Sequence, residues 1–412
     1  MMQFTGTQYL KIDVANNMGH DKWTWNERIE WVDAHDHELE QLLDQADVPA
    51  LYYASVKALR AAQRGEVSNF PISLDATASG MQILSALTGD RNGAALCNVV
   101  NRIVDGEVKR ADGYTIVFEE MKERVGSSAE IKRDMIKKAV MTALYGSKAM
   151  PKKVFGEGRL LDIFYETMSD LAPAAWELNE HFLEIWNPEN LKNSWVLPDN
   201  FHVHVKVMTK VEEQVHLFDE PISTFRQVNQ PQEEGRSLGA NTIHSIDGMI
   251  VREITRMADY DVNQVKKLYS LNTLALVDPM SLKPLKESKE TKLLRILLGH
   301  FRDSGFLSAR VIDIINEDNF VLLDEHERVA VMKLIDQLPT KPFKVIAVHD
   351  CFRCLPNHGN ELRRLYNLQL HKLYASDMLS FLLSQIMQTK VSIPKLDNDM
   401  AQDILDAEYA LS

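Results

Sequence analysis

Hydrophobic and polar positions follow two different periods along this chain. From residue 26 to 46 apolar side chains recur every three or four positions, which predicts an amphipathic helix, and residues 50–64 continue as a second helix. From residue 201 to 207 apolar and polar side chains alternate strictly, which predicts a strand or hairpin. The apolar positions of the two patterns are Ile29, Val32, Leu39, Leu42 and Leu43, and Phe201, Val203, Val205 and Val207.

The rest of the chain adds more helices than strands. Helical periodicity covers residues 128–148, 160–187, 241–275, 289–338 and 360–388. Strand patterns cover residues 70–75 and 343–356, the second as a hairpin with His349 and Asp350 at its turn. Residues 220–238 are polar and rich in Gln and Glu, which predicts a loop. The predicted fold class is therefore α+β, mostly helical.

Composition places the chain among ordinary globular proteins. Its 412 residues, 45% of them hydrophobic and 25% charged, are enough for two or three domain-sized units. No apolar run approaches the roughly 18 residues of a membrane span, and the first residues do not have the pattern of a signal peptide. Three cysteines, Cys97, Cys351 and Cys354, fit a reducing compartment.

The net charge of −13 argues mildly against a nucleic-acid-binding protein. One stretch is the exception, because residues 132–153 carry seven basic side chains and the single acid Asp134. These basic residues are Lys132, Arg133, Lys137, Lys138, Lys148, Lys152 and Lys153. A locally basic channel is therefore compatible with the acidic total.

Three features carry candidate chemistry. Asp75 ends a strand, Asp350 lies at a hairpin turn, and Arg133 and Lys137 lie one helical turn apart on one face. Strand-end carboxylates suit two Mg²⁺ ions that share substrate phosphates, and an Arg–Lys pair suits a polyphosphate. Tyr145 lies farther along the same broad face, where an aromatic ring can contact a base or sugar.

Each feature also has a purely structural interpretation. Asp75 precedes a helix and could serve as its N-cap, Asp350 could be an ordinary turn residue, and the basic helix face could simply be solvated. Three other clusters are expected to be structural: His35-Asp36-His37 on a helix, His202 with His204 on a strand, and the isolated Cys351-x2-Cys354 pair.

Taken together, these motifs resemble the bacteriophage-type, or mitochondrial-like, single-subunit DNA-directed RNA polymerases. LDATASGMQILSAL is similar to motif A of that family, RDMIKKAVMTALYGS to motif B and VIAVHDCF to motif C. Other stretches agree in order, namely LKIDVANNMGHDKWTWNERI, GANTIHSIDG and DILDAEYALS. The resemblance implies a right-hand architecture with palm and fingers, and a small antiparallel palm sheet.

The resemblance implies a role for each matching residue. Asp75, Asp350 and the backbone of Ala76 would hold two Mg²⁺ ions. Arg133, Lys137 and Lys22 would bind the triphosphate, and Lys137 would protonate the leaving pyrophosphate. Tyr145, followed by Gly146, and His244 would sense the sugar 2′-hydroxyl. The remaining nucleotide-site positions are Tyr114 and His349.

One position bears on the choice between RNA and DNA synthesis. Related DNA polymerases have a glutamate five residues after the motif A aspartate, where it crowds a 2′-hydroxyl. Here that position is Gly80, which favours ribonucleotides. A DNA polymerase of the same superfamily, a metal-dependent phosphohydrolase using His349 and Asp350, and a non-catalytic protein with a decayed polymerase core are the competing interpretations.

The domains follow from the same resemblance. Residues 1–110 would form palm with motif A, and residues 111–255 would form fingers with motif B. The fingers would include a hairpin at 195–238, in the place of the specificity loop of the family. Residues 256–340 would be an inserted helical module, and residues 341–412 would return to palm with motif C and the tail.

Full-length family members extend much farther on the N-terminal side. The chain is therefore similar to the larger, catalytic subunit of the split, heterodimeric polymerases of some podophages. The expected partners are a DNA template, its RNA product, ribonucleoside triphosphates and a second subunit that supplies the missing half. A factor that opens promoters or binds single-stranded DNA is a further candidate. No membrane is expected, and the expected location is the cytoplasm of an infected host cell.

Overall fold

Helices surround one small antiparallel sheet in the computed structural model, which describes residues 1–126, 130–144, 148–218, 220–232 and 237–412. The sheet has strand order β1–β9–β8, from β1 (Ile72–Asp75), β9 (Cys351–Cys354) and β8 (Ile346–Val348). The observed mixture confirms the α+β class predicted from the sequence.

The N-terminal part contains α1 (Gly6–Ala15), α2 (Trp25–Ala34) and α3 (Pro49–Gln63). The single helix predicted over 26–46 is wrong beyond Ala34, because the chain turns there and continues as a 3₁₀ segment, Leu39–Gln45. Arg60 of α3 explains the turn. Its guanidinium donates to Asp36 at 2.8 Å and to Glu40 at 2.7 Å, and these bonds draw the segment along α3.

The middle of the chain is mostly helical. Its helices are α4 (Ser79–Thr88), α5 (Arg91–Leu96), α6 (Gly113–Val125), α7 (Arg133–Ala143), α8 (Ala149–Phe155), α9 (Arg159–Leu171) and α10 (Pro173–Glu184), with the short hairpin β2 (Arg102–Val104) and β3 (Glu107–Lys109) before α6. The helix predicted over 160–187 is two helices. Pro173 lacks an amide hydrogen and disfavours helical backbone at the residue before it, so α9 ends at Leu171.

Residues 192–229 form two consecutive hairpins rather than one hairpin over 195–238. The first pairs β4 (Lys192–Val196) with β5 (His202–Lys206), and the second pairs β6 (Met208–Leu217) with β7 (Glu220–Asn229). The loop predicted over 220–238 is therefore wrong for β7. This strand has no fully buried residue. Its sequence therefore lacks the regular alternation of apolar and polar residues that predicts a strand.

The C-terminal half is helical again. It contains α11 (Ser237–Ala258), α12 (Val262–Val277), α13 (Lys289–Ser304), α14 (Arg310–Ile314), α15 (Glu325–Asp336), α16 (Gly359–Tyr374), α17 (Met378–Ile386) and α18 (Ala401–Leu405). The patterns over 241–275 and 360–388 each correspond to two helices. Asp261, whose side chain accepts from the amide of Asn263, begins α12 as a new helix.

The sheet has one core face and one polar face. Ile72 and Leu74 of β1 and Phe352 and Cys354 of β9 are buried, and α4 packs in the interior against α10, α11 and α16. Successive side chains of a strand point to opposite faces, so the intervening residues lie on the polar face. Those residues are Ser73, Asp75, Cys351 and Arg353. The candidate chemistry therefore lies on the side of the sheet away from the core.

Candidate active site

A cavity of about 450 Å³ opens beside the end of β1. Six of the residues singled out from the sequence line it: Lys22, Asp75, Ala76, Tyr114, Arg133 and Lys137. They come from four separate stretches of the chain, so their convergence is a property of the tertiary structure.

Backbone pairing brings the two motif aspartates together. The amide of Ala76 donates to the carbonyl oxygen of Asp350 at 3.1 Å, directly after the register pair Asp75–Cys351. On the other edge of β1, the amide of Asp75 donates to the carbonyl oxygen of Ser412 at 3.2 Å. Asp75 is thus held between the motif C hairpin and the C-terminal residues.

The structure decides between the two interpretations of Asp75. Helix α4 begins with Ala78 in the N-cap position, and no side chain forms a capping hydrogen bond there. Asp75 therefore does not serve as the N-cap. Asp350 does lie at a turn, because β8 and β9 join through His349 and Asp350, with His349 in the left-handed region at φ 57°.

The surroundings of Asp75 suit a cation. The side chain opens into the cavity, yet the surrounding protein raises its pKa by desolvation, and the negative charge of Asp350 raises it further. The Cys351 thiol opposes this shift by interacting with the carboxylate. A divalent cation would relieve the repulsion between the two carboxylates.

The available donors fit Mg²⁺ bound together with substrate. Within the described ranges, no group of three or more His, Cys, Asp or Glu side chains is arranged to hold a metal by itself. Mg²⁺ commonly uses one or two carboxylates and completes its shell with water and substrate phosphates. Asp75, Asp350 and the carbonyl of Ala76 supply that kind of partial oxygen shell.

The opposite wall of the cavity is basic and anchored. Arg133 begins α7, and its guanidinium donates to Thr115 Oγ1 at 2.8 Å and to Asp112 Oδ2 at 2.5 Å. Tyr114 lies between the cations, with its ring centre 6.0 Å from both the Arg133 Cζ and the Lys137 Nζ. These contacts fix the start of α7 against α6.

Asp112 is an anchor that the sequence analysis missed. Its side chain accepts from the amide of Thr115 and so caps α6. Burial opposes the charged form, but hydrogen bonds from Thr115 and Arg133 hold the pKa of Asp112 below its usual range. The signal was present as Asp112-Gly113-Tyr114, a cap residue directly before a helix.

Other missed residues line the same cavity. They are Asp13, Asp21, Asp47, Arg110 and Arg353. Arg110 donates to Ser412 Oγ at 3.2 Å. Asp13 is buried within α1, and its oxygens accept from the Ser73 amide at 2.8 Å and from Asn17 Nδ2 at 2.9 Å. On sequence alone, a single acid in a helix carries no sign of this position.

Asp13 makes the stability of the protein pH-dependent. Burial raises its pKa to about 7, so the folded state favours the protonated acid. That contribution to stability is full below the usual aspartate pKa near 4 and is lost as the pH rises towards 7. We expect Asp13→Asn to gain stability relative to the wild type across this range. Urea unfolding at pH 5 and pH 8 in EDTA measures this, with the exposed Asp44→Asn variant as control. If the free energy of unfolding changed by the same amount between the two pH values in Asp13→Asn and in the wild type, the prediction would be contradicted.

Several predicted residues lie outside this cavity. In the part of the chain that the structure describes, Gly80 is buried in α4, His244 is exposed on α11, and neither they nor His349 and Asp350 form part of the wall. Asp350 is connected to the cavity wall by the backbone hydrogen bond that its carbonyl oxygen accepts from the amide of Ala76. Tyr145 and Gly146 lie outside the described residues.

The three clusters expected to be structural include no group of three or more potential metal ligands among the described residues. His35 Nδ1 lies 2.8 Å from the carbonyl oxygen of Trp31, and Asp36 is bound by Arg60. The rings of His202 and His204 are 6.3 Å apart. Cys351 and Cys354 are free thiols on opposite faces of β9, and burial raises the pKa of each to about 12.

Comparison with known proteins identifies the segment that carries this geometry. The family of DNA-dependent RNA polymerases matches residues 2–184. This segment is similar to the DNA-dependent RNA polymerase family. It contains Lys22, Asp75, Tyr114, Arg133 and Lys137, whereas motif C and His244 lie beyond it.

Individual polymerases agree over a similar stretch. The chain is 28% identical over 160 residues to a probable DNA-directed RNA polymerase of Neurospora crassa, and 28% identical over 180 residues to the DNA-directed RNA polymerase of Pseudomonas phage phiKMV. It is also 28% identical over 180 residues to mitochondrial DNA-directed RNA polymerase 1 of Arabidopsis thaliana. Each match covers 34% of this chain but only 18%, 21% and 18% of those polymerases, respectively.

These relatives include both phage and mitochondrial polymerases. Among the described residues, no helix is long and apolar enough to cross a bilayer.

Proposed function

We propose that this chain is the catalytic part of a DNA-directed RNA polymerase. It would add ribonucleotides to the 3′ end of RNA on a DNA template and release pyrophosphate. The observation that carries the proposal is the pairing of Ala76 with Asp350 beside a cavity that also contains Lys22, Arg133 and Lys137. Carboxylates on one side and cations on the other match the needs of nucleotide transfer.

The roles divide between the two sides of the cavity. Asp75, Asp350 and the Ala76 carbonyl would hold two Mg²⁺ ions, whose chemistry is to stabilise charge on the attacking and leaving oxygens. Arg133, Lys137 and Lys22 would bind the triphosphate. Lys137 Nζ would then donate a proton to the departing pyrophosphate.

Sugar selection would involve Tyr145 and His244, with Gly80 leaving space for the 2′-hydroxyl. Removing the tyrosine hydroxyl should weaken recognition of ribose while leaving the ring in place. We expect Tyr145→Phe to relax discrimination against deoxynucleotides more than it slows ribonucleotide addition. The rates of rNTP and dNTP addition in competition measure this discrimination. If the ratio of the two rates were the same in Tyr145→Phe and the wild type, Tyr145 would have no role in sugar selection.

A second polypeptide would complete the enzyme. Support comes from the resemblance to the split podophage polymerases, and the matched segment covers 18% and 21% of two relatives. The partner would supply the N-terminal half, and a factor that opens promoters or binds single-stranded DNA would assist initiation. The phage relative supports a site of action in an infected host cell, although mitochondrial relatives match equally well.

Primer extension tests the proposal. A short RNA primer annealed to a DNA template would be incubated with Mg²⁺ and either rNTPs or dNTPs, using the chain alone and co-expressed with neighbouring reading frames. We expect extension with rNTPs only, and only when the partner is present. Preference for dNTPs would identify a DNA polymerase, robust synthesis by the lone chain would refute the need for a partner, and no extension in any combination would favour a decayed core.

A further inference from the structure

Arg353 is a cavity residue to which neither the motifs nor the comparisons assign a role. Strand β9 pairs with β1 so that Cys351 lies opposite Asp75 and Arg353 lies opposite Ser73. Directly paired residues share a face, and Arg353 lines the same cavity as Asp75. Its neighbours Phe352 and Cys354 are buried on the other face. The register therefore presents a guanidinium on the surface that carries the catalytic carboxylate.

The hydrogen bonds of Arg353 are incomplete. Its Nε atom is buried and has no hydrogen-bond partner within the described part of the chain. Asp13 and Asp75 interact with it electrostatically, and the Cys351 thiol forms a side-chain hydrogen bond with its guanidinium. The Asp13 oxygens, however, already accept from Ser73 and Asn17. A buried donor without an acceptor is costly, so an anionic ligand in the cavity would satisfy it.

We propose that Arg353 binds the phosphate of the 3′-terminal nucleotide of the RNA. This inference rests on the proposed polymerase function. The 3′-hydroxyl would react at the Asp75 end of the sheet, and Arg353 lies two strand residues away from that end, about 7 Å along β9. In this proposal, the phosphate on the other side of the same ribose would lie in this direction.

The neighbouring strand supports an extended ligand. Ile346 pairs with Arg353 and Val348 pairs with Cys351, so both lie on the same face of the sheet. Their side chains are 55% and 53% exposed. A cation beside two exposed apolar side chains suits a nucleotide, with its phosphate on Arg353 and its sugar on the aliphatic surface. The triphosphate has its own cations on α7 and at Lys22.

Primer binding tests the inference directly. Fluorescence anisotropy would measure the affinity of the full chain, with its partner where extension requires one, for two labelled primer–templates. One primer is unmodified, and the other has an uncharged methylphosphonate at its 3′-terminal linkage. The variants are Arg353→Met, Arg353→Lys and, as matched control, Arg64→Met, whose arginine is exposed and pairs with Glu66.

We expect the methylphosphonate to weaken binding by the wild type about tenfold, the usual scale for a charge-assisted hydrogen bond. Arg353→Met should weaken binding of the unmodified primer by a similar factor, and the two changes together should add nothing further. Arg353→Lys should retain part of the affinity, and Arg64→Met should behave as the wild type. Circular dichroism would confirm that each variant is folded, because a misfolded variant would also lose its sensitivity to the methylphosphonate.

Three results would overturn the inference. The first is that the methylphosphonate and Arg353→Met weaken binding independently, so that their effects add. The second is that Arg353→Met binds primer as tightly as Arg64→Met does. The third is that Arg353→Met raises the KM for rNTPs and leaves the primer affinity unchanged. Binding needs no catalysis, so the two proposals can fail separately. Coupling without extension would reject the polymerase function alone, and extension without coupling would reject the role of Arg353 alone.

Discussion

Asp350→Asn is expected to abolish nucleotide addition and leave the fold intact. The amide keeps the size of the side chain but removes the negative charge that would bind Mg²⁺. Metal ions contribute several kcal/mol to the stabilisation of such transition states, so we expect a loss of about 10³-fold or more in kcat. The fold should persist, because Asp350 pairs with Ala76 through its backbone carbonyl, which the substitution does not alter.

Single-turnover primer extension measures this effect, with circular dichroism and urea unfolding to confirm that the variant is folded. Asp44→Asn is the matched control, because Asp44 is exposed on the 3₁₀ segment away from the cavity lining. If Asp350→Asn added nucleotides near the wild-type rate, the role of Asp350 in Mg²⁺ binding would be rejected.

Arg133→Ala should have the second-largest effect, and it should appear mainly in the KM for nucleotide. A hydrogen bond to a charged group contributes about 1.5–3 kcal/mol, which corresponds to a rise in KM of roughly 10- to 100-fold. Arg133→Lys should recover little of this, because an ammonium group cannot reproduce the planar fork of a guanidinium.

The contacts of Arg133 allow a sharper comparison. Asp112→Asn keeps one acceptor oxygen, for either the α6 cap or Arg133 Nη2, and Thr115 Oγ1 still accepts from Arg133 Nε. We therefore expect Asp112→Asn to raise KM far less than Arg133→Ala does. Arg124→Ala is the control, since Arg124 forms a surface ion pair with Glu120 on the neighbouring helix α6. An unchanged KM in Arg133→Ala would exclude Arg133 from triphosphate binding.

Local patterns predicted most helices but not their breaks. Helix α3 and the hairpin of β8 and β9 agree with the prediction from periodicity. The break after Ala34 depends on Arg60, which lies on another helix. Strand β7 was missed because both of its faces are largely exposed, so the polar character of its sequence resembles that of a loop.

The sequence predicted several residues of the candidate site, but not the spatial arrangement of the whole site. Motif similarity led to Asp75, Arg133 and Lys137, and all three line one cavity. Asp13 and Arg353 were missed, since an isolated charged residue in a helix or strand carries no information about what lies opposite it. The position of Asp112 before a helix marks it as a cap, but not as a partner of Arg133.

By itself, the sequence determined the α+β class, the mostly helical composition and the motifs that resemble those of single-subunit RNA polymerases. Those properties depend on residues close together in the chain, through helical periodicity, turn chemistry and local spacing. Only the tertiary structure decided that Asp75 lies beside Asp350, that Asp112 holds Arg133, and that Arg353 faces the cavity. Each of these depends on strand register or helix packing between distant segments, and a shift of one residue would turn Arg353 to the opposite face of the sheet.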